Sequence, residues 1–379
     1  MATIKINFTP DRIKYKIYEL VKTAVFENNG VIFGGFARDM IISDHYKAIY
    51  NSKNGYNIHK FWNKFHQPET AARAMIAKDM DICLYSLDDV NRFTIALQNI
   101  FNERAGHANV TLKDTTITKD TCYFGIPINI HKRVSVKTTV GKIPFVYSGV
   151  ELTFDFDIIV PRRANVQPPF SRVDLLSNVF ILTKQGITIS NNTGTIIDRM
   201  SIINKQKISG LIMSDIVEFK TQFCLMNYTD NYACGSFRYN MKVCERLNKM
   251  LFKQFPWKIT NLPFTLEQFS GNNEANSMCC ICHSDFKDKQ KIAAIHSDNS
   301  TKTEKICTMM AHSMCLFKYF DTQIDSAKAD MLTEAENFQF RCPMRNVINF
   351  KTSAKNIDAI ISEKMSGNGG ANQSPVKID

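Results

Sequence analysis

The chain has 379 residues, 44% of them hydrophobic and 22% charged, which is enough apolar content for about two or three domains with buried cores and excludes wholesale disorder. Its 47 Lys and Arg outnumber 36 Asp and Glu, and the formal net charge of +11 favours partners with phosphates, nucleic acid or nucleotides. No stretch approaches the ~20 apolar residues of a membrane span, and Met1-Ala2-Thr3-Ile4-Lys5-Ile6-Asn7 is not the apolar run of a signal peptide, so an intracellular protein, cytoplasmic or nuclear, with no membrane partner is expected.

Taken in order, Thr9-Pro10-Asp11 is a helix start, and Ile13, Ile17, Leu20, Val21, Ala24 and Val25 follow at helical spacing until the stop at Asn28-Asn29-Gly30. Val31-Ile32-Phe33 reads as a short strand entering the turn Gly34-Gly35, and a short helix follows over Ala37–Ile42. Tyr46–Ile76 has no clean period and interleaves Lys47, Lys53, Lys60 and Lys64 with aromatic residues. Lys78–Tyr85 reads as a strand. Ser86 and Asp89 resemble a capping box for a helix with Val90, Phe93, Leu97 and Ile100 on one face. Asn109–Ile189 is dominated by β-branched, alternating sequence, with a turn at Lys184-Gln185-Gly186. Helices are expected around Thr195–Ile208, Ser214–Met226 and Ser236–Phe255. Asn261–Ser277 has the polarity of a linker, and Ser366–Asp379 has the composition of a mobile tail.

Three segments carry carboxylates in a pattern that suits metal chemistry: Gly34-Gly35-Phe36-Ala37-Arg38-Asp39, Asp79-Met80-Asp81, and Phe154-Asp155-Phe156-Asp157-Ile158. Strand alternation puts Asp79 and Asp81 on one face and Met80, Ile82 and Leu84 on the other; Asp155 and Asp157 likewise share a face. If the two strands are neighbours, three or four carboxylates converge. So much negative charge calls for a cation, and Mg²⁺ (or Mn²⁺) accepts carboxylate oxygens together with substrate phosphates. The glycine turn would let backbone N–H groups approach a triphosphate, with a helix N-terminus behind it, and Arg38 would clamp a phosphate oxygen.

This order of motifs resembles the DNA polymerase β-type nucleotidyltransferase superfamily, with wording most similar to the tRNA CCA-adding and bacterial poly(A) polymerase branch. The resemblance covers roughly residues 10–165. It implies that Asp79 and Asp81 bind two metals, that Asp157 or else Asp155 completes the site, and that Gly34 and Gly35, with Arg38 and Asp39 beside them, hold an NTP. Two features depart from that family: Tyr46–Ile76 separates the glycine turn from the carboxylate pair, and no segment matches the branch's Glu-Asp-x-x-Arg motif.

In Ser236–Phe255, Arg238, Lys242, Arg246, Lys249 and Lys253 fall within an arc of roughly 80° on a helix, opposite Phe237, Met241, Cys244, Leu247 and Leu251. Such a stripe would track the phosphates of RNA or another nucleic acid, or would simply be a solvated face.

Six of the 11 cysteines fall between Cys279 and Cys342, and the clustering points to Zn²⁺. Cys279-x2-Cys282, Cys307, His312-x2-Cys315 and Cys342-Pro343 have the spacing of tetrahedral thiolate and imidazole ligands. The wording over Met278–Asn346 resembles a RING finger. Carried over, Cys279, Cys282 and Cys315 serve one zinc while Cys307, His312 and Cys342 serve another, with Lys318 and Arg345 standing where each site expects a fourth cysteine. Cys280, His283 or His296 could substitute, or a single site of Cys279, Cys282, His312 and Cys315 could survive. The resemblance also implies ubiquitin-conjugating enzymes as partners, near Ile281 and Pro343.

The expected fold is α+β. A nucleotidyltransferase-like mixed sheet with flanking helices occupies 1–165, and an accessory strand and helical region with the basic helix occupies 166–260. A linker over 261–277, a RING-like zinc module over 278–346 and a C-terminal segment over 347–379 complete the chain. The expected function is template-independent nucleotide transfer to RNA or another hydroxyl acceptor, with the zinc module as adaptor. The alternative is a degenerate RING ubiquitin ligase or scaffold beside an inactive transferase domain. The pairing of modules is similar to that in proteins of large DNA viruses, which would place the protein in host cytoplasm.

Overall fold

The structure, a computed structural model, describes residues 10–54, 80–104, 109–118, 128–137, 151–161, 166–169, 173–224, 246–247, 250, 257–261, 266–269, 278–286, 291–297, 304–329, 341–346 and 355–367. It is mixed α+β, with six α-helices among the described residues, and it divides into two compact units: Met1–Glu218 with Ile361–Asp379, and Phe219–Ile360.

The first unit is built on a seven-stranded mixed sheet of order β3-β4-β5-β2-β1-β6-β7. Its strands are β1 (Val31–Phe33), β2 (Met80–Cys83), β3 (Asn109–Thr118), β4 (Ile128–Lys137), β5 (Glu151–Val160), β6 (Phe180–Thr183) and β7 (Gly186–Ile189). All the printed pairings in it are antiparallel except β2 with β5. Helix α1 (Pro10–Glu27) buries Ile17, Val21, Ala24 and Val25 and ends at Asn29, whose φ of 55° closes it as the sequence pattern requires. Helix α2 (Gly35–Asn54) leaves directly from β1, and Phe36 on it meets Tyr18 of α1 edge to face at 5.5 Å. Helix α3 (Leu87–Arg104) opens on the expected capping box: the Ser86 hydroxyl donates to Asp89 Oδ2 at 2.7 Å and accepts from the Asp89 N–H at 3.0 Å. Phe93 of α3 meets Phe156 of β5 at 6.0 Å, so this helix packs on the sheet face where Phe156 is buried. By strand alternation that face also carries Ile32, Met80, Ile82 and Ile158, all buried.

Several elements differ from the sequence reading. Helix α2 extends to Asn54, well past the expected end at Ile42, because Ser43–Lys53 contains no Gly or Pro and the helix is anchored where the Tyr46 hydroxyl donates to the Val217 carbonyl at 3.1 Å. The sheet does not stop near residue 165: β6 pairs with β1, matching Ile32 with Leu182, so the core runs through the region expected to be accessory. In place of helices over Thr195–Ile208 and Ser214–Met226 there is a 3₁₀ turn (Ile196–Arg199) and one helix, α4 (Ile202–Val217). Phe219, at φ 57°, breaks α4 so that Lys220–Gln222 can pair in parallel with Lys258–Thr260, a long-range partner no local pattern announces.

The second unit contains that pair, β8 (Lys220–Gln222) and β9 (Lys258–Thr260), and a three-stranded antiparallel sheet of β10 (Leu266–Phe269), β11 (Lys291–Ser297) and β12 (Glu304–His312). The expected linker over 261–277 therefore contributes a strand, and Asn261 at its start donates to the carbonyls of Phe223 and Lys355 at 2.6 and 2.9 Å. Helix α5 (Ser313–Ala329) follows β12 directly and buries Leu316, Phe320 and Ile324. Helix α6 (Ile357–Ser366) lies in the expected C-terminal segment; the expected tail beyond Gly367 is outside the described residues.

The capping box gives a first prediction. Ser86→Ala removes the acceptor for the Asp89 N–H, and denaturant unfolding should show a loss of about 1 kcal/mol.

Candidate functional site

The parallel pairing of β2 with β5 sets Asp81 directly beside Asp157, so the two carboxylates occupy one sheet face on adjacent strands. Both are half-buried. Opposite Asp81 on the other side is Phe33, the last residue of β1, from which the chain turns through Gly34 at φ 70°. A Cβ on Gly34 would lie 2.8 Å from Asp81 Oδ2, so only glycine lets the turn pass over this carboxylate. The glycine turn and the carboxylate strands, distant in sequence, are thus parts of one place.

On the same face Val31, Phe33, Cys83, Ile159 and Ile181 form a buried apolar cluster against which Tyr85 packs. Burial pushes the Cys83 thiol and the Tyr85 hydroxyl each up to about 12, so Cys83, two residues from Asp81, stays a neutral packing group.

Arg38 and Asp39, expected at the nucleotide, are both 3% exposed and paired with one another. The Arg38 Nε and Nη2 each lie 2.8 Å from Asp39 Oδ1, and Nη1 donates to Asn178 Oδ1 at 3.0 Å. A buried guanidinium needs such partners. This makes Arg38 a brace behind the turn: its Nη2 would be 3.3 Å from a Cβ on Gly35. Asn178, itself donating to Asp174 at 3.3 Å, was not singled out by sequence, and nothing local marks a residue 140 positions away as a partner.

Asp79 lies outside the described residues, as do Arg238, Lys242, Lys249 and Lys253 of the basic stripe. Arg246 is helical and half-buried beside the fully buried Leu247. Asp155 sits on β5 opposite Arg133 of β4.

In the second unit, Cys279, Cys282, His312 and Cys315 bring their ligand atoms within 4.8 Å of one another. Cys279 and Cys282 lie on a tight turn in which the Cys279 N–H donates to the Ser284 carbonyl and the His283 N–H to the Cys279 carbonyl, both at 2.9 Å. His283 adopts φ 55° to close it. His312 ends β12 and Cys315 falls in the first turn of α5, so the strand-to-helix junction delivers the other two ligands.

The details suit zinc. His312 Nε2 faces the Asp285 carbonyl at 3.3 Å, which favours the proton on Nε2 and turns Nδ1 toward Cys282 Sγ and Cys315 Sγ at 3.4 and 3.8 Å. A tetrahedral zinc would set such N···S edges at about 3.6 Å. Phe286 holds the imidazole edge to face at 4.8 Å. Cys279 Sγ accepts from the N–H groups of Ile281 and His312 at 3.5 and 3.4 Å, as a thiolate would. The Ser284 backbone N–H holds the Cys282 thiol down to about 6, against burial and with help from the Ser284 hydroxyl, His312 and Cys315. Burial, followed by the bond with Cys282, pushes Cys315 up, so without a metal the two sulfurs share a proton.

This geometry corrects the two-zinc assignment. His312 joins Cys279, Cys282 and Cys315, the single-site alternative, and is not grouped with Cys307 and Cys342. Cys342 is buried in a second tight turn, where its N–H donates to the Asn346 carbonyl at 2.8 Å and the Arg345 N–H donates to the Cys342 carbonyl at 2.7 Å. Arg345, at φ 63°, is exposed where the fourth ligand was expected, as is Lys318. The Gln323 side chain of α5 fastens this turn by donating to the Arg341 carbonyl at 2.8 Å and accepting from its N–H at 2.9 Å. Hydrogen bonds to Gln323 thus hold the loop where a metal was expected. The Cys307 side chain lies outside the described residues.

No protein-family model matches the chain, and no curated protein or solved structure matches it. Among the described residues no helix is long and apolar enough to cross a membrane.

Two predictions follow from these geometries. Gly34→Ala combines an unfavourable φ with a clash at Asp81 and should lower stability by about 1–3 kcal/mol in denaturant unfolding. Purified protein should carry one zinc per chain by elemental analysis, and Cys282→Ser or chelation should release it and expose amides of 278–286 and 304–320 to hydrogen exchange while leaving α1–α4 protected.

Proposed function

We propose that the first unit is a two-metal nucleotidyltransferase and that the second carries a structural zinc. The observation that supports this reading best is the register that sets Asp81 beside Asp157 directly under the Gly34 turn. Two half-buried carboxylates on adjacent strands raise each other's cost of ionisation unless a cation lies between them. The donor set is all oxygen, which suits Mg²⁺ or Mn²⁺, and Asp81 and Asp157 would hold it together with Asp79. When bound, such ions lower the pKa of an attacking hydroxyl and stabilise departing pyrophosphate.

The chain's own groups would do the rest. Gly34 and Gly35 give backbone N–H groups close access to a triphosphate, and α2 begins immediately behind them with its positive dipole end. The buried Arg38–Asp39 pair, tied to Asn178, keeps that turn fixed while the substrate binds. The apolar cluster of Val31, Phe33 and Ile159 keeps water from one flank of the carboxylates. The substrates on this reading are an NTP and a hydroxyl-bearing acceptor, RNA first among them.

The zinc site has four protein ligands and no acidic general base among them, the arrangement of a closed structural site. We read this module as an adaptor for protein or RNA. A ubiquitin-ligase role beside an inactive transferase is the competing reading; ubiquitin-chain assays with a panel of conjugating enzymes separate the two.

Labelled-nucleotide transfer with Mg²⁺ or Mn²⁺, across four NTPs and varied RNA acceptors, tests the transferase. Asp81→Ala should reduce turnover by 10³-fold or more, on the order of 4 kcal/mol, with unchanged thermal unfolding. Asp157→Asn should do likewise, and Asp155→Asn should be milder. Full activity in Asp81→Ala would end this assignment.

A further inference from the structure

We infer that the strand pair β3–β4 holds the phosphodiester backbone of a single-stranded nucleic acid, at a site centred on Lys113 and Arg133. The inference extends the transferase reading by naming where its acceptor lies.

The register carries the placement. Asp81 pairs with Asp157, and Asp157 with His131 of β4, so these three stand in one row on one face. Two residues along, the next row is Asp155, Arg133 and Lys113, followed by Thr153, Ser135 and Thr111, then Glu151, Lys137 and Asn109. The alternate rows on the opposite face are Phe154, Val134 and Leu112, then Leu152, Val136 and Val110. The sheet extension therefore has an apolar face and a face of polar and charged positions that continues the carboxylate row without a break.

Charge is distributed unevenly over that polar face. Lys137 stands opposite Glu151, a complementary pair. Lys113 stands opposite Arg133, and like charges directly opposite one another destabilise an antiparallel pair. Asp155 balances at most one of the two cations. The row is thus the counterpart of Asp81 with Asp157: two anions adjacent call for a cation, and two cations adjacent call for an anion. Arg133 is one strand and two residues from Asp157, about 8 Å by strand geometry. A phosphate there lies within one nucleotide step of the proposed metals. β3 is also the sheet's edge strand, and its register with β4 shifts between Asp114 and Ile117, placing a bulge opposite His131 and beside the carboxylate row.

The test is fluorescence anisotropy with 3′-hydroxyl oligo(A) as RNA and as DNA, over a salt series, without NTP or divalent metal, using the full chain. Each phosphate contact on a single strand contributes about 0.7 to the log–log salt slope, so Lys113→Gln with Arg133→Gln should weaken binding at least tenfold and flatten the slope by about 1.4. Lys132→Gln, on the opposite face, should leave both unchanged. Lys113→Gln alone should flatten the slope by about 0.7 without lowering the melting temperature, because it relieves a like-charge pair. An unchanged slope in both variants, or a melting temperature lowered by Lys113→Gln, would overturn the proposal. Stronger binding of the RNA arm identifies RNA as the acceptor; equal binding identifies a backbone site indifferent to sugar. Asp81→Asn should retain binding. Wild-type binding without transfer would therefore count against the transferase reading alone, and transfer with an insensitive slope would count against this site alone.

Discussion

Two carboxylates on neighbouring parallel strands repel one another, and the first unit is organised around that fact. At about 5 Å and an effective dielectric constant of 20, Asp81 and Asp157 oppose each other by about 3 kcal/mol. Such an arrangement persists when the rest of the structure over-determines it. The opposite face of the same strands is a packed layer of Ile32, Met80, Ile82, Phe156 and Ile158, with Phe93 of α3 set against Phe156. Alternation couples the two faces: burying Phe156 and Ile158 obliges Asp157 to face the other way. A one-residue slip of β5 would put the carboxylates into the core, so hydrophobic burial fixes the register and the register fixes the charges.

The glycine turn adds a second constraint of the same kind. Gly34 is needed both for its positive φ and because Asp81 occupies the space of a Cβ. The turn is held from behind by Arg38, whose charge is balanced by Asp39 and whose orientation is set by Asn178. The polar network is buried and its partners are matched, the condition under which such a network rigidifies rather than weakens its surroundings.

The second unit solves a different problem, that of a small module with little core of its own. Its ligand cluster is assembled from a tight turn and a strand-to-helix junction, and the hydrogen bonds around it orient the ligands before any metal arrives: Asp285 sets the His312 tautomer, and two N–H groups face Cys279. At the second turn the same backbone geometry recurs around Cys342, and the Gln323 amide supplies the brace.

The sequence alone determined the local features whose causes are local: α1 and its Asn-Asn-Gly stop, the Ser86 capping box, the β1–Gly-Gly–α2 unit, and strand alternation around Asp81 and Asp157. It also marked Cys279, Cys282, His312 and Cys315 as metal-ligand candidates by spacing. Only tertiary structure decided matters that depend on distant partners. β6 joins β1 across some 150 residues, Phe219 ends α4 so that β8 can meet β9, and residues read as a linker become β10. His312 belongs with Cys279 and Cys282 because β12 ends where α5 begins beside the turn, a consequence of hairpin geometry that spacing does not encode. Arg38 turned out to be a brace because Asn178 and Asp39 enclose it. Side-chain period and turn chemistry act over a few residues and are written in the chain; strand order and the company a charge keeps are set by which buried faces fit together.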